Sequence, residues 1–124
     1  MGLFGDIFIQ KEETASNFNW IPLINISQLD DISNNSTNKK QAVFKHSTRC
    51  GVSAMVIKQF EKQNEKLDKN IDFYYLDLLR FRDISNEITN RFDIPHQSPQ
   101  LIVIKNKNVV EHNSHHGILS VKLN

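Results

Sequence analysis

Gln41-Ala42-Val43-Phe44-Lys45-His46-Ser47-Thr48-Arg49-Cys50-Gly51-Val52-Ser53 changes character at its middle. Gln41 to His46 has a mostly apolar centre and reads as a strand. Beyond it Val52, Met55, Val56 and Phe60 recur at helical spacing, while Lys58, Gln59, Glu61 and Lys62 take the water-facing positions. Cys50 therefore stands just after a strand, in the first turn of a helix.

The flanking sequence repeats this alternation. Upstream, Trp20-Ile21-Pro22-Leu23-Ile24 is a short apolar run whose Pro22 suits an edge strand. Ser27 is placed to cap a helix through Leu29 and Ile32, which ends in the Asn/Ser-rich loop from Ser33 to Asn38. Downstream, the helix fades near Leu67 to Asn70, and Ile71 to Leu76 is aromatic and apolar enough for a third strand. Asp83 or Ser85 can start another helix, with Ile84, Ile88 and Phe92 on one face. Pro95 and Pro99 bracket a loop before the strand Leu101 to Ile104; Asn106-Lys107-Asn108 turns the chain, and Val109 to His112 pairs back. A closing helix is expected from Ser114 through Ile118 to Leu123. The order β-α-β-α-β-α-β-β-α implies an α/β fold with parallel crossovers and one late hairpin, a mixed central sheet flanked by helices. That order matches the thioredoxin-like fold. Residues 1–19 read as an N-terminal tip and polar linker, and 20–124 as the thioredoxin-like domain.

Composition narrows the function. The chain has 124 residues, 39% hydrophobic and 23% charged, which suits one soluble domain with a single core. A net charge of +1 with scattered basic residues argues against nucleic-acid or membrane partners. No apolar run approaches the roughly 20 residues of a membrane span, and the apolar start, Met1 to Ile9, lacks the basic region of a signal peptide. A single cysteine excludes an internal disulfide and a multi-cysteine zinc site, and a free thiol suits a reducing compartment. Cytoplasmic location and a monomer are the expectations.

The chemistry centres on Cys50. Unpaired N–H groups and the macrodipole at a helix N-terminus favour a thiolate, and Arg49 adds a positive neighbour. Cysteines in such settings fall from ~8.5 to between about 3.5 and 7.5 in pKa, and the thiolate is the nucleophile. A free cysteine is otherwise often a buried small hydrophobe. Polar Ser47, Thr48, Arg49 and Ser53 around it favour the reactive reading. Ser53 stands where a dithiol enzyme would carry its second cysteine. Its hydroxyl can donate to a thiolate but cannot resolve a mixed disulfide, so one-cysteine exchange is expected, with Cys50, Ser53 and Arg49 as catalytic residues.

Ser98-Pro99, just before an apolar strand, occupies the position where thioredoxin-fold proteins carry a cis-proline facing the active-site helix. A cis bond there lets the preceding backbone pair with an incoming peptide or thiol. Thr48, Gly51, Ser98 and Pro99 are the expected substrate contacts. The five histidines do not form a metal motif: His46 ends a strand, and His112, His115 and His116 would need long-range partners. No metal is expected. Surface positions suit His115 and His116, with contact to a ligand's carboxylates at the rim as a second role.

The octapeptide His46-Ser47-Thr48-Arg49-Cys50-Gly51-Val52-Ser53 resembles the monothiol bacilliredoxin family of the YtxJ type. The resemblance extends to Met1-Gly2-Leu3-Phe4, Trp20-Ile21-Pro22-Leu23, Ser98-Pro99-Gln100 and Ser114-His115. It implies a thioredoxin-like thiol-disulfide oxidoreductase without a bound cofactor. Its co-substrate would be bacillithiol, a cysteinyl glucosamine-malate thiol, which it would remove from bacillithiolated cytosolic proteins under oxidative stress. Cys50 would be the nucleophile and Pro99 the cis-proline. Gly51 departs from the Pro or Ser of that pattern, and Cys50-Gly51-Val52-Ser53 also looks like the Cys-Gly-Phe-Ser signature of monothiol glutaredoxins, which carry [2Fe–2S] clusters. Against glutaredoxins, His115-His116-Gly117 stands where they have a Gly-Gly pair. A non-catalytic adaptor using the proline groove is the third alternative.

Overall fold

The structure is a computed structural model describing residues 18–66 and 70–123; most of the tip and linker read from the sequence lies outside the described residues. Five strands, β1 (Ile21–Pro22), β2 (Lys40–His46), β3 (Ile71–Asp77), β4 (Gln100–Lys105) and β5 (Asn108–Ser114), form one sheet in the order β1-β3-β2-β4-β5. Helices α1 (Gln28–Asn35), α2 (Gly51–Asn64) and α3 (Arg82–Phe92) fill the crossovers, and a short 3₁₀ helix, His115–Ser120, follows β5. β3 runs parallel to β1 and β2, whereas β4 runs antiparallel to β2 and to β5.

Period-two alternation sorts the strand residues onto two faces. Ala42, Phe44, Phe73, Leu101 and Val103 pack with Val56, Ile57 and Phe60 of α2 and with Ile118 of the 3₁₀ helix. Val43, Tyr74, Leu76, Ile102 and Ile104 pack with Leu29 and Ile32 of α1 and with Ile84 and Ile88 of α3. Covering both faces is what parallel strands require. Trp20 extends the first cluster, its ring 5.8 Å from Phe44 and 6.0 Å from Phe60, and its Nε1–H donates to Glu61 Oε2 at 2.6 Å.

Turn chemistry fixes the hairpin. Asn106 and Lys107 both have positive φ, 53° and 66°, as the two-residue turn that matches strand twist requires. Ser36, just past α1, holds this turn: its carbonyl accepts from Asn106 N–H and its Oγ from Lys107 N–H, each at 2.8 Å.

Several local expectations are corrected. Met55 and Val52, placed on the buried helix face by spacing, are 62% and 38% exposed, and the buried positions of α2 are Ser53, Val56, Ile57 and Phe60. The buried face is rotated because a polar residue, Ser53, occupies its first position. Ser27 stands at the N-cap of α1 but makes no capping bond. Its hydroxyl and N–H both turn to Asn25 Oδ1, while Gln28 Oε1 accepts from the N–H groups of Ile24 and Asn25. The first strand is two residues long, because Pro22 cannot donate to the ladder. Strand β5 continues to Ser114, and the closing helix is a 3₁₀ segment ending at Ser120 rather than a helix reaching Leu123.

Candidate active site

The C-terminal ends of the parallel strands β2 and β3 lie at one edge of the sheet, where His46 is in register with Asp77. Antiparallel pairing of Lys45 with Gln100, and of Gln100 with Ser114, brings the start of β4 and the end of β5 to the same edge. Topology alone thus gathers the β2–α2 loop with Cys50, the β3–α3 loop, Ser98-Pro99 and His115. Open α/β sheets bind ligands at this edge, outside the carboxyl ends of their strands.

Cys50 is the N-cap of α2, with extended backbone (φ −104°, ψ 118°) and a partly exposed side chain. Its carbonyl accepts from Ala54 N–H and its own N–H donates to Ser47 O, both at 3.1 Å. The backbone is thereby held at both ends of the first turn. Cys50 thus heads α2, the end at which a helix leaves its first N–H groups unpaired, and its side chain makes no capping hydrogen bond.

Behind it lies a buried polar network. Ser53 is fully buried and His46 is 7% exposed. Ser53 Oγ accepts from Ser47 N–H at 3.1 Å and lies 2.7 Å from His46 Nδ1. Burial pushes the His46 pKa below the ordinary imidazole value, and the Asp77 carboxylate partly opposes that shift. Neutral His46 then carries its proton on Nε2, an assignment made from the network, so that Nδ1 accepts from the Ser53 hydroxyl. The bond from Ser53 to a Cys50 thiolate expected from sequence is thus replaced by one to His46. The serine fixes the loop carrying the cysteine.

Thr48 and Arg49 line a cleft of about 450 Å³ with Asp77, Leu79 and Arg80. Both arginines are solvent-exposed, and the Arg80 guanidinium lies 5.3 Å from the Phe81 ring centroid. Gly51 is exposed, and a Cβ built on it meets nothing within 4 Å. The Ser98-Pro99 bond is cis. Pro99 is buried and its carbonyl accepts from His115 N–H at 3.1 Å, which pins the start of the 3₁₀ helix to the proline loop. Ser98 Oγ is buried without a hydrogen-bond partner among the described residues.

Sequence reasoning missed Asp77, Leu79 and Arg80 as cleft residues and His46 as the partner of Ser53. The available signal was the end of a parallel strand next to the one preceding Cys50. It also passed over Lys45, which is fully buried on the opposite sheet face and whose Nζ lies 2.8 Å from His96 Nδ1. Burial lowers the Lys45 pKa to about 8. Among the described residues no three His, Cys, Asp or Glu side chains gather as a metal site. No described helix is long and apolar enough to cross a membrane.

Comparison with known proteins agrees with this geometry. A solved thioredoxin-fold protein, provisionally assigned as an oxidoreductase, is 33% identical; the match covers 79% of this chain and 84% of that one, at a TM-score of 0.68. The thioredoxins of Schistosoma mansoni (24% identity, TM-score 0.63, 82% and 88% coverage) and Trypanosoma brucei brucei (16%, 0.63, 80% and 80%) share the fold. The fold is thioredoxin-like and its family setting is that of thiol oxidoreductases. Residues 21–123 match the monothiol bacilliredoxin BrxC family, and the chain belongs to that family.

Proposed function

We propose that this protein is a monothiol thiol-disulfide oxidoreductase that strips bacillithiol from cytosolic proteins. Its Cys50 thiolate attacks the small-thiol sulfur of a protein mixed disulfide. That S–S bond breaks, a new one forms between Cys50 and the small thiol, and the client leaves as its thiolate. A second molecule of small thiol, as thiolate, then attacks the Cys50 adduct. It releases the symmetric small-thiol disulfide and restores Cys50.

The observation supporting this reading is a partly exposed Cys50 at the N-terminus of α2, with a fully buried serine three residues on. A chain with one cysteine has no second sulfur to resolve the adduct internally, so the resolving thiol must come from solution.

The test is release of thiol from a defined protein mixed disulfide, in bacillithiol and glutathione forms, with Cys50→Ala as blank. Release of the bacillithiol form by wild type and none by Cys50→Ala is the expected result. Release of neither form overturns the reading. A visible chromophore on anaerobic iron–sulfur reconstitution would then favour the cluster-carrier alternative.

A further inference from the structure

The cleft lined by Thr48 and Arg49, the residues just before Cys50, holds two guanidiniums that meet no anion among the described residues. Arg49 and Arg80 reach it from different loops, one after β2 and one after β3. Among the described residues neither is in an ion pair, although Arg91, Lys39, Asp30, Asp72 and Glu87 are. Asp77 lines the same cleft, yet it pairs with neither arginine, and its Oδ1 is buried without a hydrogen-bond partner. Its field acts on His46 instead. The cleft's own carboxylate therefore leaves both cations available.

An arginine presents a planar fork of donors matched to a carboxylate, and two forks on separate loops suit two carboxylates on one small molecule. Thr48 adds a hydroxyl beside them. The volume, about 450 Å³, lies within the range of small-molecule sites. Arg49 directly precedes Cys50 in the chain, so a group held at Arg49 is one residue along the backbone from the cysteine.

We propose that Arg49 and Arg80 form the recognition site for the carboxylates of the small-thiol half of the mixed disulfide, so that the enzyme reads an anionic small thiol rather than the client protein. This rests on the thiol-exchange reading above and adds the group that selects the thiol. The disulfide enters with its carboxylate-bearing half in the cleft and the client half facing solvent. No bond changes at the arginines; they bind the carboxylate-bearing half equally before and during attack by Cys50.

The experiment uses one reporter protein carrying four mixed disulfides: bacillithiol, its malate-free cysteinyl-glucosamine analogue, glutathione and cysteamine. Wild type should turn over the carboxylate-bearing forms with the lower KM. Arg80→Gln should raise KM for those forms by about five- to tenfold, leaving kcat and the cysteamine form unchanged, with partial recovery in Arg80→Lys. Added salt should weaken wild type on the anionic forms in the same direction. Arg80 is exposed, so a thermal melt matching wild type is expected to accompany the kinetic change. Equal wild-type turnover of all four forms overturns the recognition site while leaving the exchange reading intact. An equal loss on all four forms in Arg80→Gln means that the arginine reads the client, and also overturns it. No turnover of any form by wild type overturns the exchange reading and this inference together.

Discussion

Ser53 Oγ lies 2.7 Å from His46 Nδ1, joining the third residue of the active-site helix to the last residue of the strand before it. The same oxygen accepts from Ser47 N–H, so one hydroxyl closes both sides of the loop that ends in Cys50. A cysteine at this position would lose most of that hydrogen bonding. The serine is a structural part of the one-cysteine design.

Replacing Ser53 with Ala leaves a buried imidazole nitrogen and a backbone N–H without partners. An unsatisfied buried group costs about 1–3 kcal/mol, and the Ser47 N–H, only part-buried, costs less, so Ser53→Ala should lower unfolding stability by roughly 2–4 kcal/mol. Urea denaturation reads this directly. Stability within a few tenths of wild type would mean that the hydroxyl does not hold the loop.

His46 gives the fold a pH dependence whose sign follows from its environment. Its folded-state pKa lies below 6.5, chiefly through burial, with Asp77 opposing. The unfolded chain therefore takes up this proton first as pH falls. The contribution of His46 is complete above about 6.5 and is lost as pH drops toward the folded value. Asp77→Asn removes the opposing field and should move the His46 titration to still lower pH by NMR. An upward move would contradict the pairing.

Lys45 is a second buried ionisable group, with the same sign in a different window. Its pKa falls from 10.5 to about 8 through burial, so its charged form destabilises the fold below about pH 8 and the penalty fades toward 10.5. Lys45→Met keeps the length and removes the charge. It should stabilise the protein by about 2–3 kcal/mol at pH 7. The gain should shrink to near zero above pH 10.5; a loss of stability at neutral pH would show that the contact with His96 outweighs burial.

Gly51 tests the open side of the site. A Cβ there meets nothing within 4 Å, and the backbone is ordinary first-turn helix without positive φ. Gly51→Ala should raise stability by about 0.4–1 kcal/mol by restricting the unfolded chain. Thermal melting checks the stability, and mixed-disulfide turnover checks the empty volume. Slower exchange in a more stable variant assigns that volume to substrate, and unchanged exchange removes Gly51 from the contacts.

The order of strands and helices along the chain was legible in the sequence because the apolar centres of Gln41–His46 and Ile71–Leu76 reflect burial on both sheet faces, a property of each strand alone. The N-cap position of Cys50 was legible for the same reason: it lies where one period gives way to another. The rotated face of α2 was not, since Ser53 is buried by a partner seven residues back rather than by its own hydrophobicity. Asp77, Leu79 and Arg80 carry no local signal either. They enter the cleft only because β3 lies beside β2 in register, a pairing over some thirty positions that periodicity does not encode. The start of the closing 3₁₀ helix at His115 coincides with the bond from its N–H to Pro99 O, again a contact distant in sequence.

The solitary thiol makes the oxidation history of this molecule simple to weigh. With one cysteine in these 124 residues, partly exposed at a helix start, every disulfide adduct formed within them must sit on Cys50. The added mass then names the small thiol that each protein molecule has trapped. Protein drawn from its own cell under oxidant and quenched with acid becomes a ledger of which small thiol that cell employs.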